Sequence, residues 1–442
     1  MGSVTWRRFA RPCPLPARRD PRKTACRGCR SSCPSGVRVT RTRTYGALAR
    51  VHVPHDPASP PVVARLPKHQ ASPAIYTREH RTSTPHRTAR REARSERSEG
   101  KREMIALWVA ACSLLSWCSS LSGVEGIGVN YGMMGSDLPS PDKVVALYKA
   151  NNITDVRIFH PDTNVLEALR NSGLGVVLGT LNSDLAPLAS DASYAASWVH
   201  SYVQPFAGAV SFRYINAGNE VIPGESAALV LPAMKNLEAA LQAAGLSVPV
   251  TTAMATSVLG TSYPPSQGTF SEAALPTVGP IVSHLASSGT PLLVNVYPYF
   301  AYSADPSSVR LDYALLSSSA AVAVTDNGVE YANMFDAILD AVYAAVEKAG
   351  GGESLELVVS ETGWPSGGGG YGASVENAAA YINNLVRHVG RGTPRRPGKA
   401  VETYIFAMFN ENQKPEGVEQ NFGMFQPDMS QVYHVDFTAS SS

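Results

Sequence analysis

The chain has 442 residues, 44% of them hydrophobic, and a formal net charge of +2 that conceals two unlike parts. Residues 1–103 carry 24 Lys and Arg against 7 Asp and Glu, whereas residues 104–442 carry 14 against 29. The acidic part is a poor match for nucleic acid, which selects basic surfaces. It has no cysteine beyond Cys118, which excludes thiolate catalysis and thiolate metal sites there.

The first 103 residues are rich in Arg, Pro and Ser and show no sustained apolar period. They cannot build a core that repays its ordering entropy, so a disordered basic extension is expected over 1–103. A nucleic-acid-binding tail is the sharper reading of the same charge, but no aromatic interleaving or folded reader accompanies it. Cys26, Cys29 and Cys33 resemble half of a zinc site. A structural zinc site takes four ligands. Neither a fourth ligand nor a surrounding core is evident, so no metal is expected.

At Met104 the character changes. Lys101 and Arg102 precede an almost wholly apolar run over 105–117, and small and polar residues follow over 118–126. This is the layout of a secretory signal peptide over 104–126. The run is short for a membrane span, which needs about 20 apolar residues. A signal normally begins a chain, and two readings follow. Translation starts at Met104 and residues 1–103 are absent from the natural precursor, or the Arg-rich leader is itself a transit-like targeting segment. Cleavage near Gly126 leaves residues 127–442, enough for one large α/β domain with no stable membrane insertion. Asn152-Ile153-Thr154 is a glycosylation acceptor tripeptide, meaningful only if the chain is secreted.

From residue 127 the chain alternates short apolar runs with helical periods. Strands are predicted over 127–131, 156–159, 176–178, 212–215, 248–252, 292–296, 357–359 and 403–409. Helices are predicted over 141–150, 164–171, 192–203, 226–244, 278–287, 333–348 and 374–389. Ser140 is the expected N-cap of the first helix, with Pro141 at its first position. Eight strands joined by helical crossovers predict a closed parallel (β/α)8 TIM barrel, a single catalytic domain over 127–442. In such barrels the chemistry sits at the C-terminal ends of the strands.

Two glutamates fall at such ends. Glu361 closes the apolar run of the seventh strand and precedes Gly363, Trp364 and Pro365, while Asn219 and Glu220 lie just past the fourth strand. A pair of strand-end carboxylates on one pocket floor suits general acid/base chemistry. Tyr131, Asn295, Tyr297, Phe300, Trp364 and Phe409 also lie near strand ends. Aromatic faces stack on the apolar face of a pyranose, and Asn, Asp and Glu serve its hydroxylated edge. The expected partner is therefore a neutral carbohydrate. Taken singly, a glutamate at a strand end is more often a surface or salt-bridge residue. Glycines 367–370 lack the Gly-Lys-Ser/Thr ending of a phosphate loop and read as a rim of the cleft. His160, His200, His284, His388 and His434 form no ligand-spaced cluster, so no zinc hydrolase is expected.

These motifs together carry a resemblance. IGVNYG at 127–132, AGNE at 217–220, NVYPYF at 295–300, VVSETGWPS at 358–366, FAMFNENQK at 406–414 and YHVDF at 433–437 make residues 127–437 similar to the plant β-1,3-glucanases of glycoside hydrolase family 17. The resemblance implies a (β/α)8 fold, internal hydrolysis of β-glucan with retention of anomeric configuration, and no cofactor or metal. It implies Glu220 as the proton donor and acid/base, Glu361 as the nucleophile, and Glu411 and Lys414 as electrostatic support, although Glu411 is also readable as a structural partner of Lys414. Asn219 is expected beside the acid/base. Tyr131, Phe159, Asn295, Tyr297, Phe300, Trp364 and Phe409 are expected to bind substrate. A secreted monomer of the apoplast or cell wall is implied, with the vacuole as the other destination.

One departure stands out. The second-strand motif of the family resembles RIY, whereas this chain has Arg157-Ile158-Phe159, followed by His160. The ring is kept and one hydroxyl is lost, at a cost of about 1 kcal/mol if that hydroxyl served substrate or nucleophile. Linkage preference is therefore open between β-1,3-glucan and the β-1,3-1,4-glucan cut by lichenase-like relatives. A non-catalytic glucan-binding wall protein on the same scaffold is the alternative from another class.

Overall fold

The computed structural model describes residues 127–317 and 321–438. The expected extension over 1–103, with Cys26, Cys29 and Cys33, and the expected signal over 104–126 lie outside them. Within the described residues eight parallel strands close into a barrel. They are β1 (Gly128–Tyr131), β2 (Asp155–Ile158), β3 (Gly175–Gly179), β4 (Ser211–Asn219), β5 (Val250–Ala255), β6 (Leu292–Asn295), β7 (Leu357–Thr362) and β8 (Thr403–Ile405). Each strand pairs with the next in sequence, and β8 returns to β1 through Gly128 opposite Tyr404 and Val129 opposite Ile405.

The crossover helices are α1 (Pro141–Ala150), α2 (Thr163–Ala168), α3 (Ala192–Tyr202), α4 (Val230–Ala243), α5 (Leu275–Ser288), α6 (Met334–Val346) and α7 (Val375–His388). Their starts are set chemically. The Asp162 carboxylate accepts from the N–H groups of Asn164 and Val165, the Asn333 side chain from Asp336, and the Ser374 hydroxyl from Asn377. These side chains satisfy orphan donors of the first turn. Ser140 occupies the cap position of α1, but its side chain makes no capping bond. Pro141 at the first position has no N–H to satisfy, and that residue carries the start instead.

Period-two alternation sorts the strand residues into two cores. Outward residues such as Val129, Val156, Ile158 and Val359 join the helices in the main cluster. Inward residues Val177, Ala253, Leu293, Val358 and Tyr404 form a second cluster inside the barrel, with Tyr214 against it. Tyr404 fits there because β1 presents a glycine, since a Cβ on Gly128 would lie 2.3 Å from the Tyr404 ring. Beneath this layer Arg213 bonds the Glu402 carboxylate at 2.8 Å, and the hydroxyls of Tyr214 and Tyr404 donate to the same group. The barrel is therefore plugged at its N-terminal end, and open chemistry is confined to the C-terminal end.

The eighth strand is shorter than its predicted span of 403–409. Beyond Ile405 the regular ladder ends: Met408 N–H still donates to Asn130 on β1, but Ala407 N–H donates to Phe422 and Asn410 N–H to Phe425. No helix among the described residues is long and apolar enough to cross a membrane.

Candidate active site

The two strands that carry the glutamates both lose regular register just before them. On β4 the pairing with β5 shifts between Asn216 and Asn219. On β7 it shifts between Val359 and Glu361 against β6, and between Val359 and Thr362 against β8. Such bulges re-aim side chains at barrel rims. Glu220 is further turned by a left-handed backbone, φ 55°, unusual for a residue with a Cβ. Its N–H still donates to the Ala253 carbonyl at 3.0 Å, which anchors it to β5.

Glu220 and Glu361 line one cleft of about 290 Å³ at the C-terminal mouth of the barrel. A buried polar net lies beneath them. Arg157, fully enclosed on β2, sends Nη1 to Glu361 Oε1 at 2.7 Å and Nη2 to Asn219 Oδ1 at 2.8 Å. Nη1 also contacts Asn130 Oδ1 at 3.0 Å and the Ser360 carbonyl at 3.2 Å. Tyr297 donates its hydroxyl to Glu361 Oε2 at 2.9 Å, so both oxygens of that carboxylate are held. Asn295 Nδ2 donates to Glu220 Oε1 at 3.0 Å, and its own Oδ1 accepts from the Ser360 hydroxyl at 2.7 Å. One chain of hydrogen bonds thus fixes the two glutamates relative to each other.

A further carboxyl lies at the wall. Glu411 Oε1 accepts from the Met134 N–H at 2.7 Å, and Lys414 Nζ stands 3.9 Å from Oε2. Burial raises the Glu411 pKa above its usual value, and the Lys414 charge and the Met134 N–H oppose that shift. Gly132 allows the approach, because a Cβ there would fall 2.2 Å from Glu411 Oε2. Lys414 also sits over the Phe406 ring, 4.6 Å from its centroid.

Of the residues expected at the site, Glu220, Glu361, Asn219, Glu411, Lys414, Phe159, Tyr297 and Phe300 line the cleft. Tyr131, Asn295, Trp364 and Phe409 do not. Asn295 works from below, through its bond to Glu220. Tyr131 and Phe409 are buried and meet edge to face at 6.4 Å behind the wall. Trp364 is fully buried, its indole N–H donating to the Gly372 carbonyl at 2.8 Å and its ring packed on Tyr299 and Tyr381. Its face is spent on protein. Glycines 367–370 do not line the cleft either; a Cβ on Gly370 would meet the Tyr299 hydroxyl at 2.3 Å.

The sequence reading passed over Arg157, Asn130 and Ser360 as site residues, and over His160, Phe406, Glu419 and Phe422 as cleft lining. A signal for the first two was present. Asn130 and Arg157 are polar residues at inward positions of otherwise apolar strands, and a polar side chain there must have a buried partner.

The model of the Glycosyl hydrolases family 17 matches residues 127–437. The chain belongs to glycosyl hydrolase family 17. A Hordeum vulgare protein provisionally named glucan endo-1,3-beta-glucosidase GVI is 99% identical over 322 residues, which cover 73% of this chain and all of the relative. Lichenase-2 of the same plant is 49% identical over 315 residues, 71% of this chain and 99% of that one. A solved structure, one of two plant beta-glucan endohydrolases with distinct substrate specificities, superposes with a TM-score of 0.68 at 47% identity, covering 70% of this chain and all of its own. This family 17 chain thus carries the expected barrel with both glutamates at one mouth.

Proposed function

We propose that the protein is a retaining endo-hydrolase of β-1,3-glucosidic linkages in β-1,3-glucan. The observation that carries this reading is the shared cleft of Glu220 and Glu361, with the Arg157–Asn219–Asn295 net beneath them. The name of the Hordeum vulgare relative supports the linkage.

Glu361 is the nucleophile in this proposal. Arg157 and Tyr297 hold its two oxygens, which fixes the direction of attack and leaves the remaining lone pairs for the anomeric carbon. Glu220 gives its proton to the leaving glycosidic oxygen as the C–O bond breaks. The glycosyl group is then an ester of Glu361. In the second step Glu220 takes a proton from water, the water oxygen bonds to the anomeric carbon, and Glu361 leaves as a carboxylate. Two inversions give retention. Tyr297 and Phe300, half-buried on the cleft wall, supply the apolar faces on which glucosyl rings stack, and the buried rings of Phe406 and Phe422 back them. No metal or cofactor takes part in this scheme. The polymer is the partner, the working unit is a monomer, and the chain enters the secretory route to reach wall or vacuolar glucan.

NMR of the first products released from laminarin tests the stereochemistry. The β-anomer is expected first, and an initial α-anomer overturns the roles of Glu220 and Glu361. Reducing-sugar release from laminarin, compared with lichenan and cellulose, tests the linkage. Faster release from lichenan would move the assignment to the activity named for the 49% identical relative. No release from any would favour a glucan-binding protein without turnover.

A further inference from the structure

We infer that Asn152 is an N-glycosylation site, carrying a glycan on the rim of the barrel opposite the catalytic cleft. Asn152-Ile153-Thr154 is the one Asn-x-Ser/Thr tripeptide in the sequence, and its middle residue is not proline. The inference rests on the proposed entry into the secretory route.

The local fold presents the acceptor outward. α1 ends at Ala150, and Asn152 takes a left-handed backbone, φ 56°, a conformation that Asn tolerates better than most side chains. Its N–H donates to the Lys149 carbonyl at 3.2 Å, and the next N–H, of Ile153, to Tyr148 at 3.0 Å. Ile153 is buried and pins the turn. Asn152 is exposed, flanked by exposed Ala150 and Thr154, and its side-chain amide makes no hydrogen bond to the described residues. A glycan therefore displaces no contact.

Its placement protects catalysis. The turn feeds the N-terminal end of β2 at Asp155, whereas Phe159, just past the other end, lines the cleft. At ~3.3 Å per residue, four steps along a strand separate the two levels by about 13 Å. The plugged interior lies between them.

The same geometry times the modification. In the folded chain the Thr154 hydroxyl donates to Asp155 Oδ2 at 2.6 Å, and the Thr154 carbonyl accepts from the Gly175 N–H at 3.0 Å. In the fold the hydroxyl that a transferase must engage is taken by the neighbouring carboxylate, and the pairing of β2 with β3 fixes the Thr154 backbone. Glycosylation therefore precedes folding of this edge. In the transfer, Asn152 Nδ2 bonds to the anomeric carbon of a lipid-linked diphospho-oligosaccharide. The bond from that carbon to the diphosphate oxygen breaks, the lipid diphosphate leaves with the electron pair, and the amide proton passes to a base of the transferase.

The test is expression of the full chain in plant cells. Enzyme is recovered separately from medium, vacuole and cytosol, and the peptide containing Asn152 is mapped after glycosidase release in heavy-oxygen water. The expected result is a labelled Asp at 152 in enzyme from medium or vacuole. The label should be lost in Asn152→Gln and Thr154→Ala and kept in Thr154→Ser, with kcat/KM on laminarin equal before and after release of the glycan. Folded enzyme made in bacteria should not accept a glycan from microsomes, while chain translated into them should. An unmodified Asn152 in enzyme from medium or vacuole overturns the site while leaving the secretory reading intact. Enzyme found only in the cytosol overturns both.

Discussion

Arg157 and Glu361 meet in an enclosed ion pair, with 2.7 Å between Nη1 and Oε1 and side chains 0% and 8% exposed. Removing two charges from water costs several kcal/mol each, so such a pair is weak support for stability. Its value lies in direction. The planar fork reaches Glu361 with one nitrogen and Asn219 with the other, and the Phe159 ring stacks 4.6 Å from the guanidinium carbon. Lysine keeps the charge but cannot span both partners. Arg157→Lys is therefore expected to lower kcat by about 10²-fold, the scale of a misplacement near 1 Å, with a smaller change in KM. Arg157→Met should also lower the unfolding free energy by about 3–5 kcal/mol, the cost of stranding a buried charge. Steady-state kinetics and denaturant unfolding check the two. An unchanged kcat in the lysine variant would remove Arg157 from the machinery.

The roles proposed for the two glutamates separate under rescue. Glu361→Ala should lose nearly all turnover, because neither Arg157 nor Tyr297 can attack carbon. Glu220→Ala should recover on an aryl glycoside whose leaving group needs no proton. Added azide should then give the β-glycosyl azide in the Glu220 variant and the α-product in the Glu361 variant. Product NMR reads both, and reversed anomers would exchange the assignments.

The barrel was legible because its strands are apolar runs and its helices keep their period. Every predicted strand has an observed counterpart, and α1 matches its predicted span of 141–150. What escaped lies at the barrel mouth. β4 continues to Asn219 and β7 to Thr362, beyond the predicted 215 and 359, because inward strand ends there are polar and break the apolar signal. Position and motif single out Glu220 and Glu361, which line one cleft, yet the Arg157–Asn219–Asn295 net joins residues far apart in sequence. Trp364 illustrates the opposite failure. A tryptophan beside a glutamate reads as a sugar platform, but chain order says nothing of which face a ring turns to solvent.

Gly132 tests the approach of β1 to Glu411. Its missing side chain leaves room for the carboxyl, since a Cβ would lie 2.2 Å from Oε2 and 2.4 Å from the carboxyl carbon. Gly132→Ala must push Glu411 away from the Met134 N–H and Lys414. Overpacking of this kind costs about 1–3 kcal/mol. A lower melting temperature and reduced kcat/KM on laminarin are expected together. A variant with wild-type values in both would show that the Glu411 wall yields freely and that its position is immaterial.

Asp340 carries the last prediction. It lies on α6, 1% exposed, with Oδ2 accepting from the Arg395 N–H at 3.0 Å. Burial raises its pKa from 3.8 to about 6, with Thr393, the Arg395 N–H and Tyr331 opposing the rise and like charge from Asp336 adding to it. The sign follows from linkage. Below pH 3.8 the group is protonated in both states, and its contribution to stability is fully present. As the pH climbs toward 6 the unfolded chain ionises first, so the proton held by the folded state is lost at a cost to folding. Above about 6 that contribution is gone, a fall of about 3 kcal/mol at about 1.36 kcal/mol per pH unit between 3.8 and about 6. Asp340→Asn cannot titrate, and its amide oxygen can still accept from Arg395. Unfolding free energies of both proteins, measured across this window, should show the wild type losing stability relative to the variant as the pH rises. The absolute offset between them does not matter, because the amide nitrogen brings its own hydrogen-bonding demand. A difference that stays flat through the window would mean that Asp340 is ionised in the fold throughout, with water or Arg395 carrying its charge.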